Sequence, residues 1–419
     1  MSLKPIRRAL ISVSDKTGLL EFAEFLQKHK VEILSTGGTL KAMKEAGVAA
    51  KAVEAFTGFP EILEGRVKTL HPKIHGGLLY RRDKKSHESE AKKHGIEAID
   101  LVVVNLYPFE QVTASDSVDL ETAIETIDIG GPSMLRSSAK NHDAVTVVCD
   151  SSDYRQVMLD MSTHKGATTH KLRQHLAVKV FERTAAYDAA ISAYLGGKLR
   201  KPEGDSAAAG AVPSAFHLNL KKAADLRYGE NPHQAAGYYV EAGEQPAYKQ
   251  LHGKELSFNN LMDMDATIEI VKEFDAPAAC VIKHNNPCGL AEDKDTATAL
   301  EKAIECDSMS AFGGIIGINR PCDLETAQMA FDKLRFFEVF VAPKFEPKAL
   351  ALMKARQNLR LIETGTLGQG SLYDLKLLGS GGALIQTKDQ PLKSRAAVLK
   401  KNMRCVTKKK LSWEASQLW

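Results

Sequence analysis

Apolar positions in the first 150 residues follow two alternating rhythms. Predominantly apolar runs at 9–13, 31–34 and 144–148, and a fully apolar run at 101–104, predict strands. Residues 17–29 carry Leu19, Leu20, Phe22, Ala23 and Leu26, a spacing that predicts an amphipathic helix, and 39–46 predicts a second. Strands alternating with helices predict a parallel, doubly wound α/β sheet. The rhythm breaks at 196–215, GGKLRKPEGDSAAAGAVPSA, which is rich in Gly, Ala, Pro and Ser and reads as a linker. Beyond it the α/β character returns, with a fully apolar run at 278–282. The expected organisation is a domain at 1–198, a linker at 199–215 and a second domain at 216–419, with no internal repeat.

Composition narrows the classes. A chain of 419 residues exceeds one typical core, which agrees with two domains. A net charge of +4 gives no reason to expect nucleic acid, although it leaves room for a locally basic pocket. The six cysteines form no CxxC pair. No segment approaches the ~20 apolar residues of a membrane span, and the apolar stretch of residues 1–11 is too short for a secretory signal core. The expectation is a cytoplasmic protein with reduced thiols and neither membrane nor nucleic-acid partners.

Two strand-to-helix turns have phosphate-binding character: Ser14-Asp15-Lys16-Thr17-Gly18 and Ser35-Thr36-Gly37-Gly38-Thr39. Glycines let backbone N–H groups approach an anion, hydroxyls add donors, and a helix N-terminus adds a favourable dipole. The same residue types also serve as plain helix caps. Neither turn has P-loop spacing. If residues 66–68 are extended, Arg66 and Lys68 point to one side, as an anion site or a solvated basic edge. Tyr107, just after Asn105 at the end of an apolar strand, either reaches a ligand or packs in the core. Residues 127–132 lead into a helix with Pro132 in its first turn, and Lys140 lies at the far end. Helical rise would separate Asp128 from Lys140 by more than ~12 Å along the axis.

The second region is denser in chemistry. Lys283-His284-Asn285-Asn286-Pro287-Cys288-Gly289 follows the run at 278–282 and places an ammonium, an imidazole and two amides where α/β enzymes present chemistry, at the carboxyl edge of a sheet. An ordinary polar loop, with Pro287 and Gly289 as its turn, has the same composition. Arg227-Tyr228-Gly229-Glu230-Asn231-Pro232-His233-Gln234 packs a guanidinium, suited to phosphate or carboxylate, beside a phenol, a carboxylate and amides.

RYGENPHQ, KHNNPCG and the SAFGG of residues 310–314, in that order, resemble the transformylase half of the AICAR transformylase/IMP cyclohydrolase family. SVSDKTG, STGGT, RVKTLHP, NLYPF, DIGG and AKNH resemble its cyclohydrolase half. The resemblance implies a methylglyoxal synthase-like N-terminal domain and a cytidine deaminase-like α/β transformylase domain. It implies the last two steps to IMP: formyl transfer from 10-formyltetrahydrofolate, as cosubstrate, to AICAR, then closure of the product FAICAR with loss of water. By carry-over, Lys68, Tyr107, Asp128 and Lys140 line the cyclisation site. Ser14, Lys16, Ser35, Gly37, Gly38, Thr39 and Thr69 hold the phosphate or neighbouring groups, with Arg66, Asn105 and Gly130 also binding substrate. In the second domain His284 serves as base and Lys283 as oxyanion donor. Arg227, Tyr228, Asn231, Pro287, Phe312 and Gly313 bind substrate.

The zinc deaminase signature is not met, since residue 291 is Ala and no HxE occurs, so no metal is expected. The resemblance implies a homodimer. It also implies further sequence beyond Trp419, carrying an SNAI-like strand, a GQ-containing stretch and more Arg and Phe ligands. The expectation is therefore an incomplete second domain, with formyl transfer near background and cyclohydrolase turnover retained. Cyclohydrolase activity alone, or a nucleotide-binding partner without catalysis, are the alternatives.

Overall fold

Runs of aliphatic residues build two separate sheets. The computed structural model describes residues 3–388 apart from 116, 200–211, 214, 242–244 and 367–372. The expected linker lies almost wholly outside the described residues, as do the Lys-rich 407–410 and the helix start read after it. The chain divides into two compact units, Met1–Ala207 with Pro213–His217, and Ala208–Val212 with Leu218–Trp419.

In the first unit, strands β1 (Arg8–Val13), β2 (Glu32–Ser35), β3 (Ala50–Ala52), β4 (Leu101–Asn105) and β5 (Thr146–Val148) form one sheet in the order β3-β2-β1-β4-β5. All four pairings are parallel. Both faces are covered, which is why the central strands are predominantly apolar instead of alternating. Ile11 and Val103 pack on Leu19, Phe22 and Leu26 of helix α1 (Leu19–Lys28). Leu10, Val102 and Val104 face the other way, toward α3 (Pro72–Leu79), α4 (Gly130–Lys140) and α5 (His170–Leu199). The helix expected over 39–46 is α2 (Gly37–Glu45). Strand β3 was not legible, because it is a three-residue edge strand with no fully buried position. Strand order reverses between β1 and β4, so a crevice opens at their carboxyl ends.

The second unit's main sheet contains β6 (Lys249–His252), β7 (Ala278–Lys283), β8 (Asn286–Glu292), β9 (Ile315–Ile318), β10 (Val339–Ala342) and β11 (Arg360–Glu363), in the order β6-β11-β10-β9-β7-β8. Only β9, β10 and β11 are mutually parallel, and β6, β7 and β8 join antiparallel. Two expectations change as a result. Ile282 pairs with Ile315, so the carboxyl end of β7 lies beside the amino end of β9. Lys283 and His284 therefore stand at the amino edge of the parallel strands, not at a common carboxyl edge. The turn itself is His284-Asn285, with φ of 56° and 61° at the two positions, closing the β7–β8 hairpin between Lys283 and Asn286. Two successive left-handed residues give the twist a two-residue hairpin needs. Pro287 and Gly289 are strand residues. Pro287 is tolerated because β8 is an edge strand. Gly289 is required because a Cβ there would run into the Ala303 carbonyl of helix α6 (Thr296–Cys306).

Candidate functional site

The first candidate site sits in the crevice between β1 and β4. The Asn105 side chain closes its floor: Oδ1 accepts the N–H groups of Ser14 (2.6 Å) and Asp15 (3.1 Å), while Nδ2 donates to the Asp15 carbonyl (2.7 Å). Asn105 is thus a clamp on the loop after β1, not a free ligand. Two other expected phosphate groups are also committed to the frame. Ser35 Oγ donates to the Ile11 carbonyl (2.7 Å), and Thr39 Oγ1 accepts from Val13 N–H and donates to Val13 C=O (3.0 Å each). Both side chains are buried. What remains open is Gly37 and Gly38 at the start of α2, with the exposed Lys16 on the neighbouring turn.

The segment before α3 ties this turn to the start of α4. A Cβ at Gly37 would sit 3.6 Å from Lys68 Nζ, and one at Gly130 would sit 2.7 Å from Thr69 Oγ1. Lys68 and Thr69 thus bridge two glycine-opened helix N-termini. Asp128, just ahead of α4, accepts the Gly131 N–H (2.8 Å), and its own N–H donates to the buried Tyr187 hydroxyl (2.9 Å). Burial raises the Asp128 carboxyl above the ordinary carboxylate range, against the opposing pull of the Gly131 and Tyr107 backbone N–H groups. Tyr107 reaches this carboxyl through its backbone N–H, while its side chain is exposed.

Arg66 and Lys68 do not form a shared cationic edge. Arg66 ends a 3-10 turn with φ −62° and ψ −27°, so the segment is not extended there. Arg66 pairs with Glu125, and Lys68 with Glu61. Lys140 is not brought to the crevice. The segment from Gly130 to Lys140 is one helix of 11 residues, which places Lys140 about 15 Å along the axis from the start of α4. A cavity of about 860 Å³ in this unit lies at the opposite, amino edge of the sheet. Its central charges compensate one another, as Arg8 with Glu32 (2.6 Å) and Arg82 with Asp100 (2.5 Å), so it offers little to a charged substrate.

The second candidate site lies at the amino edge of β9, β10 and β11. Lys283 Nζ donates to the Phe312 carbonyl (3.0 Å), which joins the KHNNPCG turn to the SAFGG segment. The Phe312 ring packs on Phe336, with ring centroids 5.6 Å apart. Gly313, with φ of 76°, donates its N–H to the Phe336 carbonyl (2.9 Å). Phe336 in turn lines a cavity of about 460 Å³ with Arg227 and Tyr228. Sequence reasoning missed the rest of that wall: Lys254, Arg335, Arg356 and Arg360, which arrive from three separate segments. One carboxylate, Glu338, partly offsets them, 3.6 Å from Arg360 and accepting from Asn260 (3.0 Å). Their signal was positional: the three arginines lie at or just before a parallel strand's amino end and Lys254 just after the carboxyl end of antiparallel β6, places no motif marked. Asn231 is committed locally, its N–H donating to Gln234 Oε1 (2.7 Å). His284 is exposed on the strained turn, and Pro287 is exposed on the edge strand. Burial holds the Cys288 thiol above its ordinary range, and its Sγ donates to the Val281 carbonyl (3.3 Å), so this cysteine is a packed thiol rather than a nucleophile.

Comparison with known proteins identifies the family. The family profile described as AICARFT/IMPCHase bienzyme matches residues 138–418, and an MGS-like domain matches residues 18–133. The bifunctional purine biosynthesis protein PurH of Neisseria meningitidis serogroup C / serotype 2a is 50% identical over 388 residues, covering 92% of this chain and 73% of that protein. The PurH protein of Bradyrhizobium diazoefficiens is 51% identical over 391 residues, covering 92% and 72%. The crystal structure of ForH is 32% identical, with a TM-score of 0.44, covering 46% of this chain and 100% of that one. The chain therefore belongs to the AICARFT/IMPCHase bienzyme family, the bifunctional enzymes of the final steps of purine biosynthesis.

Proposed function

We propose that the first unit closes FAICAR to IMP and that the second transfers a formyl group to AICAR from 10-formyltetrahydrofolate, which acts as cosubstrate. Ring closure adds an amide nitrogen to the formyl carbonyl and then expels water. Lys68 and the Tyr107 hydroxyl stabilise the oxyanion that forms. Asp128, with its raised pKa, accepts the proton from nitrogen and returns one to the departing hydroxyl. Gly37, Gly38 and Lys16 receive the phosphate, with Ser14, Thr69 and Gly130 alongside. Lys140 stays outside this set. The observation that carries the reading is the gathering of Lys68, Thr69, Gly130 and Asp128 around two helix N-termini.

In formyl transfer the weakly nucleophilic aromatic amine needs a base, the role of His284, and an oxyanion donor, the role of Lys283. The cationic cavity holds an anionic group of the nucleotide or the folate, with Arg227 and Tyr228 gripping it and Phe312 and Gly313 shaping its mouth. The boundary of the catalytic domains is placed near residue 198. Family membership supports a homodimer. The five described cysteines, all free, suit a cytoplasmic enzyme. Among the described residues no helix is long and apolar enough to cross a membrane.

Calorimetric titration of the chelator-treated chain with IMP tests the first half. Binding should persist in chelator and weaken in Lys68→Ala. Binding that vanishes with chelator, or that ignores Lys68→Ala, would contradict the assignment.

A further inference from the structure

We propose that the first unit carries a second ligand site, a late transition-metal site built by His142, Asp143 and His170. It lies on the far side of α4 from the substrate crevice. His142 and Asp143 follow the carboxyl end of α4, and His170 opens α5. One ligand atom from each of the three lies within 4.8 Å of the other two. His170 Nε2 and Asp143 Oδ1 are 2.9 Å apart, and the two imidazole rings stack with centroids 5.8 Å apart. His142 Nδ1 lies 3.1 Å from the Ala139 carbonyl. That carbonyl is an acceptor only, so it selects the tautomer with hydrogen on Nδ1 and leaves the Nε2 lone pair for a metal. A hydrogen bond on the second ring nitrogen is the usual support of a metal-ligating histidine.

The donor set decides the ion. Two imidazoles and one carboxylate suit zinc, nickel or copper, whereas magnesium and calcium prefer sites made of oxygen alone. Charges around the cluster act in both directions. The carboxyl end of α4 favours a cation, as does Asp143. The amino end of α5 opposes one. So does Arg173, whose Nε donates to the His142 carbonyl (2.8 Å). Arg81 and Arg82 add positive charge nearby: Arg81 and Arg173 both sense Asp143, and Arg173 also senses Arg82. Three ligands against these cations make a site of modest affinity, with water completing the coordination. Binding would pin the end of α4 to the start of α5. No sequence motif marked the site, because Asp143 and His170 are 27 residues apart and only the fold joins them.

The test uses the full chain stripped by chelator and titrated with zinc chloride. Calorimetry should show one micromolar-range event, and melting should move upward by a few degrees with zinc but not with magnesium. His170→Gln and the exposed Asp143→Asn should each weaken that event at least about tenfold and remove the melting shift. Both variants should keep the metal-free melting temperature, which separates lost ligation from lost folding. No zinc binding by the wild-type chain would overturn the proposal, and so would zinc binding unchanged in the two variants.

Discussion

The two units place their chemistry at opposite edges of their parallel strands. In the first, every strand runs the same way, so the turns after β1 and β4 open together where strand order reverses. In the second, β7 enters antiparallel and delivers Lys283 and His284 to the edge where β9, β10 and β11 begin. The first edge gathers helix N-termini and glycines, which suit an anion through backbone donors. The second gathers arginine and lysine side chains, which suit an anion through charge. Parallel topology thus supplies a binding edge for nothing extra, whereas a mixed sheet must furnish it residue by residue.

The sharpest way to break one side of this comparison is Gly289→Ala. The added Cβ meets the Ala303 carbonyl, so β8 must part from α6 and the His284 turn loses its register. Formyl transfer and the second unit's thermal transition should both be lost, with IMP binding retained. Loss of IMP binding as well would show that the units do not fold separately.

Charge in the second cavity comes next. Arg335→Ala removes one lining cation, and the KM for AICAR or for the folate should rise by about tenfold with kcat less affected, as expected for one lost charge-assisted contact. An unchanged KM for both would remove the cavity from the binding site.

Proton transfer in the first unit gives a subtler signature. Burial raises the Asp128 pKa, so cyclisation should fall on the acid side with a midpoint above the ordinary carboxyl value near ~4. Asp128→Asn should lose rate and lose that acid limb. A variant that keeps the limb would assign it to another group.

The smallest expected effect is on stability. Asn105→Ala deletes a side chain that accepts two backbone N–H groups and donates to one carbonyl, at a cost of about 1–3 kcal/mol. Denaturant unfolding of the first unit should show this, with the rest of the sheet intact. A loss of IMP affinity with no loss of stability would return Asn105 to the ligand set.

The first unit was largely legible because period and motif agree there. The apolar runs at 9–13 and 101–104 became the two central strands, and the glycine turns opened real helices. The roles of individual side chains were less legible. Ser35, Thr39 and Asn105 look like ligands in sequence, yet their polar atoms satisfy backbone groups that a tight strand end would otherwise leave unpaired. Arg66 and Lys68 look like one cationic edge, but partners far along the chain or across a turn, Glu125 and Glu61, separate them. In the second unit strand direction was invisible. An apolar run such as 278–282 reads the same in either orientation, so the edge assigned to Lys283 was wrong, and the turn falls at His284-Asn285 rather than at Pro287 and Gly289. Arg335, Arg356 and Arg360 were missed because single arginines carry no period, and the long-range pairing of β10 with β11 is what assembles them.

The central claim is that two separate sites carry two separate reactions. Lys68→Ala and His284→Ala, each assayed for both reactions on the purified chain, test it most directly. Lys68→Ala should lower cyclisation on the order of 10²-fold and leave formyl transfer within twofold of its parent value. His284→Ala should do the reverse, with a loss of about 10²–10⁴-fold in formyl transfer. A single variant that lowers both rates in parallel would contradict the account.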